Sequence, residues 1–390
     1  MVDAHSCGLT ASRRLAPQRP DIIVLHHLRW LAALEVVLGH IRNHLLVDFP
    51  TIDHPSGFTK IFYFISGYGH PAVIVFFVIS GFLVGGKLVE MAQAPDFPRR
   101  WPVFVIDRWS RIFIVLWPAL LVTALVVFYT VMFAPTVPLA TSTNWDAGWT
   151  HPVSDDLDIR RWALNIFLLN EIAGPTVALD PPLWSLAFEW AYYMLALAAA
   201  LLVRRVWSGG AMIFLIYTAI LFALILTNAP EILTAGVAWI MGLVAKLASD
   251  RRLLAGRATW FGGVALMGGV LIYGRFYPVD DNLFGATVAL AVAHSRWHSW
   301  RLAEKSARWL ADFSFSLYAT HAPVIAFLLI VAQSRGLVLQ RLSFGPVGLI
   351  VTLGILVVTL VFARLVAFVT EDRTRSLRRW CVSLLVPETR

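Results

Sequence analysis

The sequence predicts an all-α, polytopic bundle of transmembrane helices, and three observations carry that prediction: composition, the length of the apolar runs, and the placement of positive charge. Of 390 residues, 58% are hydrophobic and only 14% are charged, with a mean hydropathy of +0.70, values outside the range of soluble domains. A run of about 18 apolar residues crosses the ~30 Å hydrocarbon core as a helix. Backbone groups in lipid must pair internally, which leaves helices or closed barrels, and these runs lack the alternation of barrel strands.

About ten spans are expected, near residues 22–46, 71–90, 112–134, 184–203, 211–228, 231–248, 258–275, 283–299, 312–333 and 345–368. With the N-terminus inside, 23 of the 32 Lys and Arg fall in inside segments and 7 outside, Arg29 and Arg364 lying within helices. That asymmetry predicts cytoplasmic termini and residence in the cytoplasmic (inner or plasma) membrane. The expected organisation is a cytoplasmic N-terminal segment (1–21), a transmembrane domain (22–370) and a cytoplasmic tail (371–390). The first residues lack the features of a cleavable signal peptide, so the first helix is expected to stay attached.

Cys7 and Cys381, the two cysteines, both fall on the reducing side of this topology, which supports neither a disulfide framework nor a thiol metal cluster. The net charge of +8 is what a membrane protein gathers on its inner loops and is no argument for nucleic acid. Residues 135–183 form the longest outside stretch, with Asp146, Asp155, Asp156 and Asp158 and the short apolar piece WALNIFLLN. That piece is too short to span and reads as a re-entrant or interfacial segment closing the outer mouth.

Ionisable residues at bilayer depth cost at least ~2.5 kcal/mol on insertion scales and need a partner, a cavity or a task. In the first span, IIVLHHLRWLAALEVVLGHIRNHLL, Arg29 and His40 are eleven residues apart, which returns to nearly the same helix face about 16 Å farther along. An imidazole takes a proton from a hydroxyl near neutral pH and a guanidinium grips phosphate, so the pair suits transfer from an anionic donor to an alcohol. The alternative is a structural pair at a helix interface. Glu35 and Arg42 lie on another face and read as charges neutralised by neighbouring helices. His40 and His44 have the i, i+4 spacing of metal ligands, but no third ligand is evident and no metal is expected.

In PAVIVFFVISGFLVGGK, Gly81 and Gly85 make a GxxxG surface for close helix approach, and Ser80 reads as a packing or substrate-contact residue rather than a nucleophile. FVIDRWSRIFIVLWP places Arg108 and Arg111 one turn apart at the cytoplasmic mouth of the third span. They suit the phosphates of a CoA or, alternatively, inner-leaflet headgroups. DPPLWSLAFEWAYYM carries Trp184 and then Ser185, Glu189 and Tyr193 at i, i+4 and i+8 on one face, while FSFSLYATHAPVI aligns Ser314, Tyr318 and His321 before Pro323. Three polar faces on three helices predict a shared interior cavity.

Together these segments resemble the acyltransferase-3 family of integral membrane acyltransferases over nearly the whole chain. Arg29 and His40 match the family's R-x10-H motif, VFFVISGFLVGG its FFxxSGF segment, PPLWSLAFEWAYY its WSLxxExxFY segment and FSFSLYATHAPV its SYxxYLxHxPV segment. Two departures stand out. The family's paired arginines before the third span are here Asp107 and Arg108, and Glu371 sits in a loose version of the terminal acidic motif.

The resemblance implies O-acylation of glycans, lipid-linked sugars or macrolide-type metabolites, with acyl-CoA, chiefly acetyl-CoA, as donor. Membrane lipids and a hydroxylated acceptor are the expected partners, and a homo-oligomer is left open. Carried onto this chain, His40 is the expected catalytic residue and Glu189, with the outer loop, is expected to face the acceptor; its residue type and depth along the helix also make Glu189 the candidate for tuning or orienting His40. Arg29, Arg108 and Arg111 are expected to hold the donor, and Ser80, Trp184, Ser185, Tyr193, Tyr318 and His321 to line the substrate path. The rival class is a proton-coupled transporter or flippase, which uses the same residue types as ion relays. It predicts movement of substrate without thioester consumption.

Overall fold

A computed structural model describes residues 20–141, 151–253, 256–293, 304–337 and 340–385. Cys7, Asp146 and Arg13, Arg14, Arg19, Arg296, Arg301 and Arg390 of the charge asymmetry lie outside the described residues. The described chain is all-helical, without strands. In order it runs α1 (Pro20–Leu45), α2 (Gly57–Ile65), α3 (Gly69–Ser80), a π turn (Gly81–Gly85), α4 (Gly86–Gln93), α5 (Phe97–Phe133), α6 (Pro138–Thr141), α7 (Ile159–Ile166) and α8 (Trp184–Val203). There follow α9 (Gly209–Asn228), α10 (Glu231–Asp250), α11 (Arg257–Gly274), α12 (Asp281–Ala293), α13 (Glu304–Ala311), α14 (Ser314–Ser334), α15 (Pro346–Val369) and α16 (Thr374–Leu385).

Seven helical stretches are long and apolar enough to cross a membrane: Gly57–Gln93, Phe97–Phe133, Pro181–Val203, Gly209–Asn228, Glu231–Asp250, Ser314–Ser334 and Pro346–Leu385. The other three expected spans are helical over their described residues but differ in kind. α1 has the length, at 26 residues, yet it carries Arg29, Glu35, Arg42 and four imidazoles. α11 is diluted by glycine, and α12 is described over 13 residues, up to the edge of the described segment, fewer than a span needs by themselves. The third expected span starts earlier than its apolar run, because α5 continues through DRWSR and Pro102 as one 37-residue helix.

Local chemistry sets several helix starts. Ser56 and Ser208 accept from the amides of Thr59 (3.1 Å) and Ala211 (3.3 Å) as N-caps of α2 and α9, and Asp158 accepts from Arg160 N at 2.9 Å to start α7. The GxxxG surface meets α10. A Cβ at Gly81 would stand 1.8 Å from Trp239 O, and one at Gly242 would stand 2.0 Å from Val78 O. Each backbone therefore lies against the other, which only glycine permits.

The stretch between α6 and α8 is organised, over its described residues, by Asp156, which is buried. It accepts from Arg161 at 2.8 Å and from Ala178 N at 2.7 Å and pairs with His151 at 3.1 Å. The WALNIFLLN segment becomes the end of α7 and the turn after it, with Phe167 exposed. Glu35 and Arg42 find neighbours as expected of buried charges: Glu35 accepts from Tyr68 N at 2.7 Å, and Arg42 donates to Ser66 O at 2.9 Å.

Candidate active site

Arg29 of α1, Arg108 and Arg111 of α5, Ser185, Glu189 and Tyr193 of α8, and Ser314 and Tyr318 of α14 line one cavity of about 320 Å³. Phe76, Phe77, Ser80, Val84 and Lys87 complete its wall. Arg29 donates to Ser314 Oγ at 3.2 Å. Arg108 lies 5.9 Å from the ring centroids of both Phe104 and Tyr193, and its buried Nε has no hydrogen-bond partner among the described residues. A guanidinium held by ring faces keeps donors unspent for an anion. Arg29 and Arg111 also line a neighbouring polar cavity of about 500 Å³ with Asp312, Glu371, Asp372, Thr374 and Arg375. There Glu371 accepts from Ser316 N at 2.6 Å.

Asp107, standing where the family pattern has an arginine, is not among the residues lining this chamber and gathers cations beside it. It accepts from Lys87 at 3.2 Å and from Arg378 of α16, so the C-terminal helix is tied to α5 beside the basic wall.

A chain of hydrogen bonds enters the chamber from α10. Trp239 Nε1 lies 3.2 Å from Ser80 Oγ, Ser80 Oγ lies 2.9 Å from Tyr193 OH, and Tyr193 OH donates to Glu189. An indole N–H only donates, and the phenol proton is spent on Glu189. Ser80 must therefore accept from Trp239 and donate to Tyr193. All polarity runs toward the carboxylate, and Ser80 serves as a link in this chain.

His40 opens onto a second, larger cavity of about 780 Å³ on the other side. Its lining includes Asn43, His70, His151, Thr176, Trp184, Phe188 and the carboxylates of Glu171, Glu231, Asp280 and Asp281. Among the described residues Tyr318 alone lines both cavities. Its hydroxyl donates to Pro182 O at 3.0 Å and is 2.6 Å from Ser185 Oγ. Phe76 packs edge-on to Tyr318 at 5.5 Å, and Trp184 packs edge-on to Phe77 at 6.0 Å. An aromatic septum thus separates a basic chamber from a histidine-bearing one.

The family model for an acyltransferase domain, acyltransferase-3, matches residues 22–364, a span that includes every residue lining the two chambers. The chain belongs to the acyltransferase-3 family. No curated protein and no solved structure matches it. Membership makes this multi-pass membrane protein an acyltransferase in kind, and the resemblance seen in its motifs is thereby shown.

Within this acyltransferase the expected residues divide between the two chambers. Arg29, Arg108, Arg111, Ser80, Ser185, Glu189 and Tyr193 meet in the basic one, His40 and Trp184 in the other, and Tyr318 between them. Glu189, expected beside His40, lies with the arginines instead. Trp184 and Phe188 face one chamber, while Ser185 and Glu189, offset by one residue and so by about 100°, face the other. His321, expected on the substrate path, is fully buried and lines neither chamber. Sequence reasoning missed the Trp239 donor and the Arg378–Asp107 tie, which join residues far apart in the chain. The Asp107 departure was the one local signal of the latter.

Proposed function

We propose that this protein transfers an acyl group, acetyl in the first instance, from acyl-CoA to a hydroxyl of a carbohydrate, polysaccharide or lipid-linked or macrolide-type acceptor at the cytoplasmic membrane. One observation carries the reading: the basic chamber and the His40 chamber meet at a single shared residue, Tyr318. The donor's phosphates sit at Arg108, Arg111 and Lys87 and in the polar cavity beyond Arg29. Its pantetheine arm runs past Arg29 to bring the thioester to Tyr318. A chamber of about 320 Å³ suits that arm and leaves the nucleotide at the mouth.

The acceptor enters from the opposite chamber, where the polar groups and the Trp184 face suit a hydroxylated ring. His40 takes the hydroxyl proton as the oxygen attacks the thioester carbon. The C–S bond breaks and the thiolate leaves with the proton from His40. General-base action of this kind contributes about 10²–10⁴-fold.

The test is CoA release and acyl transfer in membranes carrying wild-type, His40→Ala or Arg29→Ala protein, after insertion is verified. His40→Ala is expected to lose transfer and Arg29→Ala to weaken donor use. Full-rate transfer by His40→Ala removes this chemistry. Substrate movement with no CoA release by the wild type points to a transporter.

A further inference from the structure

His321 lies at the heart of the bundle with one nitrogen committed and one idle. Its Nδ1 is 2.7 Å from Tyr318 O and 3.2 Å from Leu317 O. Both partners are carbonyls, which only accept, so Nδ1 carries the hydrogen. In the neutral ring Nε2 is then a bare lone pair. That atom is buried and has no hydrogen-bond partner among the described residues. A buried acceptor left without a donor is uncommon and calls for a reason.

The ring beside it is His40, with centroids 5.0 Å apart and planes at 82°. The other imidazole near His40 is His44, one turn along the same helix at 5.9 Å. Among the described residues no carboxylate is within hydrogen-bond distance of His40, and Glu189, the acid expected to serve it, lies in the other chamber. Histidine χ2 is a broad torsion, so rotation of the His40 ring can turn a nitrogen toward His321 Nε2 while His321 keeps its Nδ1 bonds.

We infer that His321 is the positioning residue for His40: its Nε2 accepts the N–H of His40, filling the place that a carboxylate holds in a catalytic triad. This inference rests on the reading of His40 as the general base. The hydrogen bond fixes the His40 tautomer, so that its other nitrogen presents a lone pair to the acceptor chamber. When that nitrogen takes the acceptor proton, the imidazolium charge is shared across the bond. His321 gains and loses no proton over the cycle, since His40 returns the proton to the departing thiolate. The backbone carbonyls of Leu317 and Tyr318, one turn of α14, hold His321 in the required tautomer.

Two isosteric replacements separate this role from a structural one. In His321→Asn the short amide reaches only the Nδ1 position, keeping a donor for the carbonyls and removing the acceptor. In His321→Gln the longer side chain puts an amide oxygen near the Nε2 position. Two readouts are taken on full-length protein that elutes as a single species in detergent. One is kcat and KM for acetyl-CoA in transfer by membranes of the expressing cells. The other is the rate at which diethyl pyrocarbonate carbethoxylates His40, read by peptide mass spectrometry, which needs neither donor nor acceptor.

His321→Asn is expected to lower kcat by about 10²-fold and His40 labelling by about tenfold, with donor KM nearly unchanged. His321→Gln is expected to recover most of both. The inference is overturned if Asn keeps both rates while Gln loses them, or if neither variant changes the labelling of His40. Absence of any transfer by the wild type would defeat the acyltransfer reading, while the labelling rates would still decide whether His321 supports His40.

Discussion

A close helix crossing lies one residue from the candidate site's hydrogen-bond relay, and Gly242→Ala tests whether the two are mechanically joined. An added Cβ would sit 2.0 Å from Val78 O, 2.8 Å from Val78 C and 3.0 Å from Phe82 N. All three are backbone atoms and cannot swing aside. Restoring an ordinary contact of 3.4 Å requires α10 to withdraw by about 1.4 Å, in the region of overpacking that costs ~1–3 kcal/mol. The Trp239–Ser80 bond, already 3.2 Å long and one turn away on α10, cannot survive that withdrawal, which adds ~0.5–1.5 kcal/mol. Better helix propensity returns about 1 kcal/mol, leaving a net loss of ~0.5–3.5 kcal/mol.

Gly262→Ala in α11 is the matched control, because its Cβ would meet nothing within 4 Å. Melting of the detergent-solubilised proteins, followed as loss of the monodisperse peak after heating, should place Gly242→Ala below the control by several degrees, at roughly 2–4 °C per kcal/mol. Acyl transfer should fall with it, since Ser80 loses its donor and Tyr193 its fixed orientation. A Gly242→Ala protein that melts at or above Gly262→Ala would refute the close crossing and the coupling built on it.

Two further outcomes are expected. Asp107→Asn releases Lys87 and Arg378 and should free α16, read as faster proteolysis between Glu371 and Leu385; with both cations partly exposed, the stability loss should stay near ~1 kcal/mol. Arg108→Gln and Arg111→Gln should weaken CoA binding by about tenfold or more while leaving acceptor KM little changed, because charge-assisted contacts to phosphate are the strong ones; unchanged CoA affinity would assign these arginines to lipid.

Much of this was legible in the sequence, for reasons that are physical. Long apolar runs declare themselves because lipid leaves the backbone no other partner. Arg29, Ser185, Glu189, Tyr193, Ser314 and Tyr318 fall on shared faces because side chains three and four apart align on a helix, and all six line one cavity. Gly81 announced a close helix approach, though not that α10 makes it, and the structure leaves no room there for a Cβ. The division into two chambers was not legible. It turns on which side of α8 meets which neighbour, and Trp184 and Ser185, adjacent in sequence, face different cavities. Depth along the helix, the quantity a sequence does report, placed Glu189 near His40; rotation about the axis places it with the arginines.

The two chambers differ in sign as well as in shape, and that difference follows from the reaction proposed. Among the described residues the basic chamber sets Arg29, Lys87, Arg108 and Arg111 against one carboxylate, Glu189, whereas the lining of the other carries Glu171, Glu231, Asp280 and Asp281 and neither lysine nor arginine. A polyanionic donor is drawn to the first and repelled from the second, and in a low-dielectric surrounding such differences act strongly over short distances. Only the uncharged thioester end need reach Tyr318. α1 makes the proposed arrangement possible: Arg29 and His40 share one stripe of a single helix about 16 Å apart, so in that proposal one element supplies the donor's cation at one end and the acceptor's imidazole at the other. A helix that must do both is too polar to qualify as a span by hydropathy, and for the same reason it is the element to which the site can be traced.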